Sequence, residues 1–345
     1  MIHPRIRLGA GSLLSLALAA HGAATQAPST VPSAASGHRI PSSQPGLSLF
    51  IHHAMPRVPR AGALPVLILH GATFPTELAA GWRMNGTSWM DEWTDRGYEV
   101  WALDFLGYGR SDRYPELAKP PQAGQVLGSL DDLVDQVARA VDHIQARSHV
   151  RRVLLVAHSA GTFVAGRYAE RHPDRVARLA LFGAPAPDDS SASNPGGPSK
   201  AKAQFGWFPV SVETQMNAFE SKVKTSGRID ARMLQTWGEA YLASDPFSDA
   251  RGVHVPSGLN AAFSEMDRSG RLPYAPERVR CPTLVIVGEW DGVAPPSQAF
   301  RLFHDLGAPL KRLVVLSQGG HRLHLEASRH QLYREIETFF AGGDE

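Results

Sequence analysis

The sequence predicts an α/β fold in which a mostly parallel sheet carries helices on both faces. Three observations predict it. From residue 47 onward, short apolar runs alternate with segments of helical period. Several of those runs are apolar throughout, as strands buried on both faces are. The rhythm breaks once, over residues 185–276, which reads as an insertion before the last two strands.

In order along the chain, residues 47–53 read as a short strand and 64–70, Leu-Pro-Val-Leu-Ile-Leu-His, as a strand buried on both sides. Residues 87–96 read as a helix ending at Gly97, and 99–105 as the next strand. Leu130, Leu133, Val134, Val137, Val141 and Ile144 repeat at helical spacing across 130–147. A strand at 153–157, a helix at 160–171 that stops before Pro173, and a strand at 176–182 follow. The insertion begins with a polar Ser/Pro/Gly/Asp stretch, 188–199, and continues as helical segments rich in aromatics. The sheet pattern resumes at 283–287, with a helix at 296–306, a strand at 310–316 and a last helix at 321–340. The expected organisation is a core made of residues 47–184 and 277–345 with a helical cap at 185–276.

The ends and the composition bound the rest. The chain has 345 residues, 43% hydrophobic and 20% charged, enough for a core of ordinary size. His3, Arg5 and Arg7 precede an apolar run from Leu8 to Ala20 and then small residues, the layout of a signal peptide over residues 1–27. Residues 28–46, rich in Ser, Pro, Ala and Gly, read as a flexible linker. The expectation is export to a periplasm or the outside, with an uncleaved membrane tether as the alternative, and no stable membrane insertion once the signal is removed. The net charge of +2 gives no reason to expect nucleic acid as a partner. Cys281 stands alone, so it reads as a small core residue.

The chemistry-bearing segment is Val153-Leu-Leu-Val-Ala-His-Ser-Ala-Gly-Thr162. An apolar strand runs into Ser159 and straight into a helix. So tight a turn strains the serine backbone and demands small residues two before and two after it. Ala157 and Gly161 supply them. This segment resembles the nucleophile elbow of the α/β-hydrolase superfamily, with Ala157 where glycine is more familiar. His70-Gly71-Ala72-Thr73 resembles that family's His-Gly segment, and Asp104-Phe-Leu-Gly-Tyr-Gly-Arg-Ser-Asp112 its Gly-rich loop. The resemblance covers most of residues 47–343. It implies an eight-stranded sheet and a serine hydrolase with a cap, esterase-like and free of any cofactor or metal.

A serine hydroxyl needs a base and the base an orienting acid. His321 follows a strand and a Gly-Gly turn, and Asp291 sits in a turn after the preceding strand, so these complete the set with Ser159. Glu289 and Asp188 compete for the acid position, and His324 for the base. By family position the oxyanion hole would use the amides of Ala72 (Thr73 as alternative) and Ala160. Asp104 is expected to hold its loop through backbone hydrogen bonds. Phe74, Trp82, Trp207, Phe208 and Trp237 are candidates to line an apolar substrate pocket.

The expected reaction is hydrolysis of a small to medium apolar carboxylic ester, lactone or thioester through an acyl-enzyme. An aminopeptidase resembling the proline iminopeptidases is the alternative, with Glu213, Glu220 and Glu239 available to hold an amine. A non-catalytic binding module is a third reading, disfavoured by an intact set of three.

Overall fold

The structure is a computed structural model that describes residues 36–187, 204–220, 229 and 231–342. The expected signal peptide, the polar stretch 188–199 and Asp188 lie outside the described residues.

Strands β1 (Ser36–Pro41), β2 (Ser48–Ala54), β3 (Val66–Leu69), β4 (Val100–Asp104), β5 (Val153–His158) and β6 (Val176–Phe182) form the first part of the sheet. Between β6 and the closing strands the chain makes a two-stranded antiparallel sheet, β7 (Trp207–Val210) with β8 (Val253–Pro256). Strands β9 (Thr283–Gly288) and β10 (Lys311–Leu316) then complete eight strands in the order β1-β2-β4-β3-β5-β6-β9-β10. Every pairing from β4 through β10 is parallel, while β1 and β2 run antiparallel to their neighbours.

The helices are α1 (Trp89–Asp95), α2 (Leu130–Ser148), α3 (Gly161–Arg171), α4 (Val212–Glu220), α5 (Ala231–Ala243), α6 (Gly258–Ser269), α7 (Pro296–Asp305) and α8 (Arg329–Phe340). Strand residues alternate between two faces, and each face has its own core. Leu67, Leu69, Trp101, Leu103 and Leu155 pack with Val137 and Val141 of α2, Phe163 of α3 and Leu302 of α7. Val66, Ile68, Val100 and Val156 pack on the other side with Trp89 and Trp93 of α1 and with Leu332 and Phe339 of α8. A side chain of this size removed from water contributes about 1.5–3 kcal/mol. Both α1 and α2 begin with a capping box: Ser88 with Asp91, and Ser129 with Asp132.

Three expectations need correction. Residues 36–41, inside the stretch expected as a linker, form β1. Its order comes from backbone pairing along β2, Ser36 opposite His53 through Pro41 opposite Ser48, with Ile40 as its buried side chain. The insertion is not wholly helical, because β7 and β8 build a small sheet within it. The last helix does not start at His321. A short 3-10 turn, Leu323–Leu325, comes first and α8 begins at Arg329, because His321 and Arg322 are held by Ser159, His158 and Gln215.

Candidate active site

The turn between β5 and α3 places Ser159 in the left-handed region, φ 53°. For a residue with a Cβ that conformation costs about 1–2 kcal/mol, so the surroundings must enforce it. The Ser159 amide donates to the Phe182 carbonyl over 2.9 Å, tying the turn to β6. The Ser159 carbonyl accepts from both the amide and the hydroxyl of Thr162, at 2.9 and 2.6 Å. The need for small neighbours is visible in distances. A Cβ on Gly161 would stand 2.3 Å from the His70 carbonyl oxygen, and Ala157 lies fully buried between Leu69 and Leu181.

Three sequence-expected side chains meet at this turn. His321 Nδ1 lies 2.8 Å from Asp291 Oδ2, and His321 Nε2 lies 2.9 Å from Ser159 Oγ. An ionised carboxylate only accepts, so Nδ1 carries the proton and the serine hydroxyl donates to bare Nε2. Asp291 is buried, and its second oxygen accepts from the amides of Val293 and Ala294, at 2.9 and 2.8 Å. Those bonds fix the carboxylate without using the oxygen that faces the histidine. The rival acid Glu289 is exposed and braces the next loop, accepting from Ser317 Oγ at 3.0 Å and the Gln318 amide at 2.9 Å.

The histidine loop is pinned from the core side as well. The Glu326 carboxylate accepts from the Gly320 amide at 3.1 and 3.2 Å. His158 Nε2 donates to the His321 carbonyl over 2.9 Å. Burial, reinforced by the neighbouring His324 and His321, holds His158 well below the ordinary histidine range. His324, the rival base, is buried beside His158 with ring centroids 4.5 Å apart, and burial pushes its pKa down to about 3. It shares no helix face with His321, because both precede α8.

No acceptor for the Ala72 amide or the Ala160 amide is found among the described residues. Ala160 stands at the start of α3, where a helix presents its positive end. Ala72 is fixed through its carbonyl, which accepts from Tyr108 Oη over 2.6 Å. Together these give a strained serine, a hydrogen-bonded histidine, and two unengaged amides, one on the residue after Ser159 and one at Ala72, next to Gly71, where an added Cβ would stand 3.2 Å from Ser159 Cβ.

The expected pocket aromatics divide. Phe74 and Trp237 are buried and meet edge to face, 5.3 Å between centroids. Trp237 also ties α5 to the loop after β3, its Nε1 donating to the Leu78 carbonyl over 2.9 Å. Trp82 is half-buried against the same core. Trp207 stacks on His254 at 3.7 Å and donates to the Lys119 carbonyl, and Phe208 pairs with Val255 in the cap sheet, so these two build the cap's own packing. Asp104 braces its loop as expected: its carboxylate accepts from the amides of Thr76 and Arg110, at 3.0 and 2.9 Å, and bonds His52 Nε2 at 2.9 Å. No cluster of three or more His, Cys, Asp or Glu able to hold a metal ion is present among the described residues.

Sequence reasoning missed Gln215, Glu326 and Arg322. Arg322 is buried against Gln215 of the cap, and no local pattern announces a contact between residues 107 positions apart.

A family profile described as "Serine aminopeptidase, S33" matches residues 84–328. Among curated proteins, 1-acylglycerol-3-phosphate O-acyltransferase ABHD5 of Rattus norvegicus is 27% identical over 117 residues, 34% of this chain. That match spans 28% of the acyltransferase's own length. Proline iminopeptidase PfmaB of Pestalotiopsis fici is 22% identical over 235 residues, 66% of this chain and 77% of that one. Among solved structures, a thermophilic esterase from Thermogutta terrifontis, malate bound, superposes with a TM-score of 0.58 at 18% identity. The superposition covers 89% of this chain and 99% of the esterase, a likeness of fold.

Proposed function

Because the chain belongs to the Serine aminopeptidase, S33, family of α/β hydrolases, we propose that it hydrolyses carboxylic esters of small to medium apolar substrates, lactones and thioesters included. Ser159 Oγ attacks the substrate carbonyl while His321 Nε2 takes its proton. The resulting imidazolium is stabilised by Asp291 through Nδ1. The tetrahedral oxyanion lies against the Ala72 and Ala160 amides, one such donor being worth about 3 kcal/mol of barrier. His321 then returns the proton to the leaving alcohol. Water, activated by the same histidine, releases the acid and restores Ser159.

The observation that carries this reading is the continuous chain Asp291–His321–Ser159, with links of 2.8 and 2.9 Å. The alternative, removal of an N-terminal residue from a peptide, needs acids facing the site to hold a free amine. Glu213 and Glu239 are exposed, the side chain of Glu220 lies outside the described residues, and the buried acid beside the histidine, Asp291, is already committed to it, while the next residue, Arg322, is a buried cation. That favours the ester. Of the expected aromatics, Phe74 and Trp237 surround Arg322, the residue after His321, and we assign these two to the wall of the acyl or alcohol pocket. We propose export as well, resting on the basic and apolar N-terminus. Among the described residues no helix is long and apolar enough to cross a membrane.

A panel of p-nitrophenyl esters beside a proline arylamide tests the reading. Turnover of short and medium acyl esters, lost about a millionfold in kcat in Ser159→Ala, is expected. Faster cleavage of the arylamide than of any ester contradicts it.

A further inference from the structure

Arg322 follows the proposed base directly in sequence, yet its side chain reaches into the cap. Its Nη1 donates to the Gln215 carbonyl over 3.0 Å, and its Nη2 donates to Gln215 Oε1. The guanidinium carbon lies 4.2 Å from the centre of the Phe219 ring, 5.1 Å from Phe74 and 5.8 Å from Trp237. Gln215 and Phe219 belong to α4 and Trp237 to α5, while Phe74 lies in the loop after β3. Gln215 is itself buried, and its Nε2 donates to the Thr73 carbonyl over 3.4 Å.

This is a costly way to fill space. No carboxylate among the described residues pairs with the guanidinium, and burial pushes its pKa down to about 9, so it stays charged at neutral pH. Removing a guanidinium from water is costly, and an apolar side chain of similar volume would pack among these rings without that cost. What an apolar side chain lacks is direction. The fork of Arg322 grips both the main chain and the side chain of one cap residue. Three aromatic faces hold the charge where it is. The other restraints on this loop, Glu326 on Gly320 and His158 on the His321 carbonyl, come from the core. Arg322 adds a restraint from the cap.

We propose that Arg322 is a positioning residue: its grip on Gln215 locks the cap helices α4 and α5 to the histidine loop, so that seating the cap and aligning His321 with Ser159 are one event. The inference rests on the catalytic reading of Ser159, His321 and Asp291. Chemistry suffers when the grip is lost because a misplacement of about 1 Å can cost a hundredfold in rate. Substrate affinity suffers less, since Arg322 is already engaged with Gln215.

The test is ester turnover by Arg322→Met, Arg322→Lys, Gln215→Ala and the double variant Arg322→Met/Gln215→Ala. The kcat is expressed per Ser159 titrated with a fluorophosphonate, so that misfolded protein does not count. Expected are a fall in kcat of roughly 10- to 100-fold in Arg322→Met with KM within about threefold, and partial recovery in Arg322→Lys. Gln215→Ala should fall comparably, and the double variant no further than the worse single one. Unchanged kcat per titrated site, a loss confined to KM, or losses that multiply in the double variant would overturn the proposal. If Arg322→Met does not fold, Gln215→Ala and Arg322→Lys decide, since wild-type kcat in both overturns it too. Retention of activity by Ser159→Ala would instead sink the catalytic reading, a separate outcome.

Discussion

Asp291 and Asp104 are two buried carboxylates, each bonded to an imidazole and each held by two backbone amides. Asp291 meets His321 at 2.8 Å and the amides of Val293 and Ala294; Asp104 meets His52 at 2.9 Å and the amides of Thr76 and Arg110. Beyond the imidazole they part. His321 extends through its second nitrogen to a hydroxyl held in a left-handed turn. His52 lies within β2, with Phe50 edge-on at 4.8 Å, and it is Nε2 that meets Asp104. An aspartate–histidine pair therefore becomes a route for protons by what stands at its far end. Burial and a short hydrogen bond, which both pairs share, make a brace.

Substituting each acid in turn sharpens the contrast. Asp291→Asn keeps the shape but favours the wrong tautomer of His321, and kcat on a p-nitrophenyl ester should fall about ten-thousandfold. Asp104→Asn should leave kcat per titrated Ser159 within about tenfold. Its cost falls on stability instead, about 1–3 kcal/mol by urea unfolding, because the buried bonds from His52 and from the Thr76 and Arg110 amides lose their charged acceptor. A collapse of kcat in Asp104→Asn with unchanged unfolding would break the comparison.

The brace also has a pH signature. Burial lowers the pKa of His52, but the adjoining Asp104 carboxylate outweighs it, and the net direction is up from the ordinary 6.5. That contribution is complete below 6.5 and is lost as pH rises through the folded value. For Asp104 burial acts upward, but His52 and the Arg110 amide outweigh it, and the net direction is down from 3.8. Its contribution is present above that value and is lost as pH falls through the folded one. The pair stabilises most between about pH 4 and 6.5. Urea midpoints of wild type and Asp104→Asn should differ most in that window and converge on either side. A difference that keeps widening above pH 8 would contradict the pairing. The smallest effect is expected at the exposed rival acid: Glu289→Gln should change stability by less than about 0.5 kcal/mol and leave kcat within twofold.

Much of this site could be read from the chain because its constraints are local. A serine flanked by Ala157 and Gly161 between an apolar strand and a helix has few other uses, and the Gly-Gly turn marked His321 over His324. The parts that escaped are held by partners far away. Ser36–Pro41 is polar and Pro-flanked, and only its pairing with β2 makes it a strand. The start of α8 moved because Glu326 turns back to Gly320 and Arg322 reaches Gln215, neither of which leaves a periodic trace. Trp207 and Phe208 were legible as aromatics but not as members of a cap sheet, since that sheet pairs residues more than forty positions apart.

Fluorophosphonate labelling of wild type, Asp291→Asn and Asp104→Asn, with the adduct mapped by mass spectrometry, is the most direct measurement. The expected result is a single adduct on Ser159, formed at the wild-type rate or near it in Asp104→Asn and slowed by orders of magnitude in Asp291→Asn. Labelling elsewhere, or equal slowing in both variants, would contradict the assignment of Ser159, His321 and Asp291 as one reacting unit.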